Sequence, residues 1–333
     1  MIKKYFSKKS SDLSSIKKTF FINNNAHLKK IINVNKLYIK HCKKRIFCKN
    51  CENKLSNNFF KSFGIKYFIC KRCEHLNGEF LENEIFLNKI YASSNGKKYA
   101  QNYLKFFNER VKKIYYPKAK FLKNVLGNVK IIEIGAGGGL FLKACENAGI
   151  RGVGYETNKT LVNYGKKKLS KNELKYSKMN DIKQYILNSK ADCLVLIGVL
   201  EHLENPREIL KIFKSSKIKF IFLSLPLFSL ITLIEHLFPN IYPRQLGGAH
   251  THLYTKKSID YFIRENNFKK KGEWWFGQDF NDIFRTLSIT SKSNKNSILS
   301  VSLYKFLGKY IDELQSTLDK NYVSSEVHII LKK

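Results

Sequence analysis

Residues 128–156, NVKIIEIGAGGGLFLKACENAGIRGVGYE, constrain the fold of this chain more than any other stretch. The β-branched run VKIIEI reads as a buried parallel strand. Four glycines then fall within five positions, Gly135, Gly137, Gly138 and Gly139, interrupted by Ala136. The segment LFLKACENAG has helical spacing and closes on Gly149, and IRGVGYE follows as a second strand that ends on Glu156. A strand, loop, helix and strand in this order belong to an open α/β sheet whose ligands lie at the carboxyl ends of its strands.

Counting positions excludes two phosphate-binding loops. A dinucleotide fingerprint starting at Gly135 needs a small residue at Leu140, and one starting at Gly137 needs it at Leu142. The lysine and hydroxyl residue of a Walker loop are absent as well. What stands there is E-x-G-x-G-x-G, from Glu133 through Gly135 and Gly137 to Gly139.

This pattern resembles the first motif of class I S-adenosylmethionine-dependent methyltransferases, and the likeness runs over about residues 128–333. S-adenosyl-L-methionine presents no phosphate, so bare backbone rather than lysine is the fitting partner. The resemblance implies that Glu133, Gly135, Ala136, Gly137 and Gly139 shape the cofactor loop. Glu156 then takes the ribose hydroxyls, and Asn180 and Asp181, at the end of the third strand, lie near the adenine. It also implies a seven-stranded Rossmann-like sheet with one antiparallel member. The phrase VLEHLENP (199–206) resembles the corresponding signature of the type 11 and 12 families.

Methyl transfer to a hydroxyl, or to a carbon beside a carbonyl, needs a base, and histidine titrates in the right range. His202 follows the fourth strand, and His250 lies with His252 on a glycine-containing loop before a helix. His202 and His250 are the candidate catalytic residues, and each can equally be a hydrogen-bonded loop residue. The segment GEWWFGQDFNDIFR (272–285) offers either a stacking wall of Trp274, Trp275 and Phe276 with Gln278 and Asp279, or ordinary strand core and a helix start.

Four of the seven cysteines form two knuckles, Cys48-x2-Cys51 and Cys70-x2-Cys73. This is four-thiolate zinc spacing with room for a short hairpin between the knuckles, and a site closed by four protein ligands is structural rather than catalytic. The expected organisation is a basic segment over 1–43, a zinc ribbon over 44–80, a helical linker over 81–127 and the catalytic domain over 128–333. Cys145 and Cys193 lie in apolar surroundings and read as packing residues.

Of 61 basic residues 53 are lysine and only 8 arginine, against 26 acidic residues, for a net charge of +35. Scattered lysine among abundant asparagine and isoleucine reads more as compositional bias than as a phosphate-reading surface. The first twenty residues lack the apolar core of a secretory signal. The longest uncharged apolar run, 220–234, holds fifteen residues with Pro226 inside, short of a membrane span. A cytoplasmic enzyme is therefore expected, with peripheral membrane contact open and its oligomeric state undetermined by the sequence.

The acceptor class expected first is a sugar, nucleotide-sugar or glycan precursor, because a four-Cys region ahead of this core resembles that of sugar C-methyltransferases. Those enzymes carry a further C-terminal domain, whereas this sequence stops at the core sheet, so an O-methyl product fits as well as a C-methyl one. The alternatives are an RNA acceptor, held by the ribbon and the basic surface, and a quinone or lipid acceptor suggested by the apolar 220–234 segment. The residues IGVLEH stand where an RNA enzyme would carry a catalytic amide motif.

Overall fold

The computed structural model describes residues 1–9, 23–91, 104–247, 250–293 and 297–333. In chain order its strands are β1 (Lys3–Phe6), β2 (Phe59–Ser62), β3 (Ile65–Ile69), β4 (Leu76–Gly78), β5 (Lys130–Ile134) and β6 (Arg151–Glu156). They continue with β7 (Glu173–Tyr176), β8 (Cys193–Ile197), β9 (Phe220–Pro226), β10 (His252–Leu253), β11 (Lys269–Phe276) and β12 (Glu326–Lys332).

One sheet of eight strands runs in the order β1-β11-β12-β9-β8-β5-β6-β7. Its pairings are parallel except those of β12, which is antiparallel to both β9 and β11. The central strands have little choice of position. Ile131, Ile132, Leu194, Val195, Leu196, Ile221, Phe222 and Leu223 are each at most 1% exposed, the signature of strands covered on both faces. Burying each such side chain contributes about 1.5–3 kcal/mol.

Seven strands of this sheet correspond to the expected arrangement, and the eighth corrects it. Lys3–Phe6 pairs in parallel with β11, from Lys3 opposite Gly272 to Phe6 opposite Trp275. Ser7 N–H donates to the Trp275 carbonyl at 2.8 Å, and Trp274 Nε1 donates to the Ser7 carbonyl at 2.9 Å. Tyr5 meets Phe121 edge-on at 5.3 Å. Four residues with lysine at two of them carry almost no strand pattern of their own. The bonding edge of β11 supplies what the local sequence lacks.

Helices cover the sheet on both faces. Lys159–Lys166 starts on Asn158, whose side chain accepts from Thr160 N at 3.0 Å and Leu161 N at 3.2 Å. Pro206–Ser215 has Pro206 in its first turn and Asn205 as cap, the arrangement proline favours. Within the expected linker, helices occupy Glu84–Tyr91, Phe107–Arg110 and Tyr116–Leu126, with a π-helical turn over Val111–Tyr115. The part of that reading over 92–103 lies outside the described residues. Phe107, Val111, Ile114, Phe121 and Leu122 are buried in the core beside β5 and β8. A Cβ at Gly138 would stand 2.6 Å from Leu104 Cδ2, so the linker reaches over the glycine loop itself.

The cysteine region builds a second sheet, ordered β10-β4-β3-β2 and antiparallel throughout. Its fourth strand, His252–Leu253, comes from the loop beyond β9. The second sheet is therefore sewn into the C-terminal half of the chain rather than hanging on a tether.

Candidate functional site

The carboxyl ends of β5, β6 and β8 lie side by side, and the glycine loop leaves the first of them. Gly135, Gly137 and Gly139 take φ of 71°, 55° and 74°, a region that other residues enter only with strain. A Cβ on Gly135 would sit 2.6 Å from Val199 Cγ2, so bare backbone is what lets the segment after β8 close against the loop.

Glu156 ties the loop to β6. Its Oε2 accepts from Gly137 N–H at 2.8 Å, and its Oε1 accepts from Asn158 N–H at 2.8 Å and from the Thr157 hydroxyl at 3.3 Å. Glu133 is 3% exposed, and its Oε2 has no partner among the described residues. Burial pushes its carboxyl up to about 8, with Glu156 adding same-sign repulsion and Lys118 opposing both. Asn180 and Asp181 follow the third strand of this half of the sheet. β7 ends at Tyr176, and the two residues sit in a short 3-10 turn, Met179–Asp181, with exposed or half-buried side chains.

The two histidines far apart in sequence come together. The rings of His202 and His250 lie 5.3 Å apart and nearly parallel at 28°. Glu201 joins them, with its Oε1 3.9 Å from His202 Nε2. Glu201 is 3% exposed, and burial pushes its carboxyl up to about 8. Burial, and Arg244 beside it, bring His250 down to about 4, so its ring is neutral at physiological pH. His252 is elsewhere. It is fully buried at the seam between the two sheets, where its Nδ1 and His75 Nε2 share a hydrogen bond of 2.8 Å.

The loop that carries His250 is held at several points. Glu235 accepts the backbone N–H groups of Arg244, Gln245 and Leu246 at 2.5, 2.9 and 2.8 Å. Tyr67 of the cysteine region accepts from Gly247 N–H at 2.8 Å, and Gly78 N–H donates to the Thr251 carbonyl at 2.7 Å. Two strand pairings between β4 and β10 complete the clasp. The small sheet therefore buttresses the segment on which one of the rim histidines stands.

The four cysteines behave as a metal knot would. All are buried and free, and their Sγ atoms lie within 4.8 Å of one another. Cys51 and Cys70 approach to 3.5 Å, and Cys48 and Cys73 to 3.7 Å. A disulfide needs about 2.0 Å, whereas a tetrahedral ion with bonds of about 2.3 Å sets sulfur edges of about 3.8 Å. The geometry fits the second.

The stacking wall does not form. Trp275 and Phe276 are at most 2% exposed and packed in the core. Asp279 accepts from Ser229 Oγ at 2.6 Å and from Ile231 N–H at 3.1 Å, securing the start of the helix Leu230–Leu237. Sequence reasoning also passed over Glu201 and Lys118. Lys118 is 7% exposed in the helix 116–126 and acts electrostatically on Glu133, Glu201 and Glu326. A lysine in YYPKAKF looks like any surface lysine, and only the fold turns it inward.

Residues 91–271, more than half of the chain, match a family model described as "Methyltransferase domain". Among solved structures, a SAM-dependent methyltransferase from Archaeoglobus fulgidus is 15% identical, with a TM-score of 0.43, over 69% of this chain and 98% of that one. A possible histamine N-methyltransferase from Thermotoga maritima is 12% identical, with a TM-score of 0.44, over 71% of this chain and 97% of that one. Magnesium protoporphyrin IX methyltransferase from Synechocystis is 14% identical, with a TM-score of 0.43, over 56% and 90%. No curated protein sequence matches the chain.

Proposed function

The chain belongs to the methyltransferase domain family and is an S-adenosylmethionine-dependent methyltransferase, and on that premise we propose that its acceptor is a polar small molecule of the sugar, nucleotide-sugar or glycan-precursor class. The observation that carries this choice is a cleft of about 610 Å3 on the rim where β9 ends and β12 begins. It is lined by Thr255, Lys256, Lys257, Asp260, Arg264, Tyr322 and Ser324, among others. Three cationic groups, two of them paired with the carboxylates of Glu74 and Asp260, stand beside hydroxyls and the apolar Leu227, Phe228 and Val323, a mixed lining that suits a polyhydroxylated ligand with an apolar face.

The residues around the glycine loop fit the donor. The unpartnered oxygen of Glu133 would gain a partner from a ligand that brings its own positive charge, and Glu156 would exchange its loop bonds for ribose hydroxyls. When bound, the donor supplies a sulfonium methyl group for in-line displacement by the acceptor. The chain's own work is to hold the two partners at attacking distance and to exclude water. As the acceptor attacks, its proton leaves at the rim cluster of Glu201, His202 and His250.

We assign a structural zinc ion to Cys48, Cys51, Cys70 and Cys73, which would fix the ribbon that clasps the His250 loop. Among the described residues no helix is long and apolar enough to cross a membrane, and we place the enzyme in the cytoplasm. A second reading, a lipid-borne acceptor, draws on the exposed Leu233, Leu237, Ile298, Val301 and Phe306. Incubation of the purified chain with labelled donor and a panel of nucleotide-sugars, lipids and RNA decides between these. Label entering a nucleotide-sugar is the expected result, and label entering RNA or lipid alone overturns the acceptor assignment.

A further inference from the structure

Three potential ligand groups converge on the carboxyl-end rim outside the four-cysteine knot. Donor atoms of Glu201, His202 and His250 all lie within 4.8 Å of one another. Two come from the segment directly after β8, and the third from the loop that the small sheet clasps. A carboxylate with two imidazoles is a donor set for a divalent first-row ion, neither the all-sulfur set of a structural zinc nor the all-oxygen set of calcium.

A second observation points the same way. Glu201 is 3% exposed, and its Oε2 is buried without a partner among the described residues. A buried carboxylate oxygen without a donor or cation is costly, and proteins seldom leave one so. The other carboxylate oxygen, Oε1, faces His202 Nε2 at 3.9 Å.

We propose that Glu201, His202 and His250 bind a single divalent cation, which in turn grips an acceptor through its oxygen atoms. Ligand distances of about 2.0–2.2 Å place neighbouring donor atoms roughly 3 Å apart. The three side chains therefore draw in by an ångström or more on loading, a movement within the reach of rotamer changes. Three protein donors leave coordination positions open, as a catalytic site requires and a structural one does not. Open positions on an oxygen-seeking ion select an acceptor with two adjacent oxygens, such as a vicinal diol. With the cation in place the imidazoles serve as ligands rather than as proton acceptors, and the ion makes the bound hydroxyl more acidic, so that its proton passes to water.

The role in acceptor binding rests on the methyltransferase reading, but the cation site itself does not. The full chain, with its cysteine knot loaded with zinc, is titrated with Mn2+ and followed by electron paramagnetic resonance. One Mn2+ per chain is expected, with affinity at least tenfold weaker in Glu201→Gln and in His250→Gln. Binding of S-adenosylhomocysteine by calorimetry should be unchanged in both variants, which also shows that they fold. Failure of the wild-type chain to bind Mn2+ overturns the proposal, as does equal Mn2+ binding by both variants. A chain that binds the nucleoside but not Mn2+ loses only the cation site. One that binds Mn2+ but not the nucleoside loses the methyltransferase reading instead.

Discussion

Replacing Glu133 by glutamine keeps the side chain's shape and removes its ability to ionise. The carboxyl is 3% exposed, lacks a partner on Oε2 and is pushed from 4.5 to about 8 by burial, with Glu156 reinforcing the shift. At about 1.4 kcal/mol per pH unit, that displacement is worth about 5 kcal/mol in total. The sign follows from proton counting. The folded chain keeps a proton that the unfolded chain has already released, so this group's contribution to stability is full below pH 4.5. It is lost as pH rises through 8. Between pH 5 and pH 8 the loss amounts to about 3–4 kcal/mol. Denaturant unfolding of wild type and Glu133→Gln at pH 5, 6, 7 and 8 isolates it, because the other titrating groups are common to both proteins. The wild type should lose stability relative to the variant by about that amount across the range.

The same carboxyl links pH to ligand binding. At pH 7 about nine-tenths of it carries a proton in the free protein. A donor bearing sulfonium and ammonium charges favours the ionised form, so binding should expel most of one proton. Calorimetry in two buffers of different ionisation enthalpy reads that release directly. The Glu133→Gln variant should show none. Parallel stability profiles for the two proteins, or equal proton release, would refute the placement of an unpaired buried acid beside the donor.

Glu156→Ala removes the acceptor of two backbone N–H groups and of the expected ribose hydroxyls. Two charge-assisted bonds at about 1.5 kcal/mol each predict a loss of roughly 150-fold in S-adenosylhomocysteine affinity. Calorimetry showing unchanged affinity removes Glu156 from the site. Gly135→Ala places a methyl 2.6 Å from Val199 Cγ2 at a φ of 71°. It should lose donor binding, and Val199→Ala in the same chain should restore part of it. If the double variant binds no better than Gly135→Ala, steric contact is not the cause. Metal analysis should return about one zinc per chain at the knot. Cys70→Ser should lower the zinc content and speed amide hydrogen exchange over 250–253, because Tyr67, Gly78 and β4 hold that segment. Full zinc content in Cys70→Ser, or exchange no faster than wild type, would separate the knot from the loop.

Much of the architecture was legible because it depends on local pattern. The β-branched runs of β5, β8 and β9 occupy the buried centre of the sheet, and the glycines after β5 adopt the positive φ that their residue type allows. What escaped was set by distant partners. β1 is a strand only because β11 offers it an edge, and β10 extends the cysteine sheet from a loop more than 170 residues onward. The near-parallel stacking of His202 on His250 could not be read from spacing, since a folded loop brings the two rings together. Lys118 and Glu201 have no motif to betray them, and their burial is a property of the packed molecule. The stacking wall failed for the same reason in reverse: the aromatic run was aligned with the core rather than the rim.

The central claim is that the turn after β5 cradles the donor and Glu156 clamps its ribose. The most direct measurement is calorimetric titration of the purified chain with S-adenosylhomocysteine. A saturable heat with one site per chain, lost in Glu156→Ala while the variant's unfolding transition stays cooperative, is the predicted result. A folded chain that takes up neither this nucleoside nor S-adenosylmethionine contradicts the account.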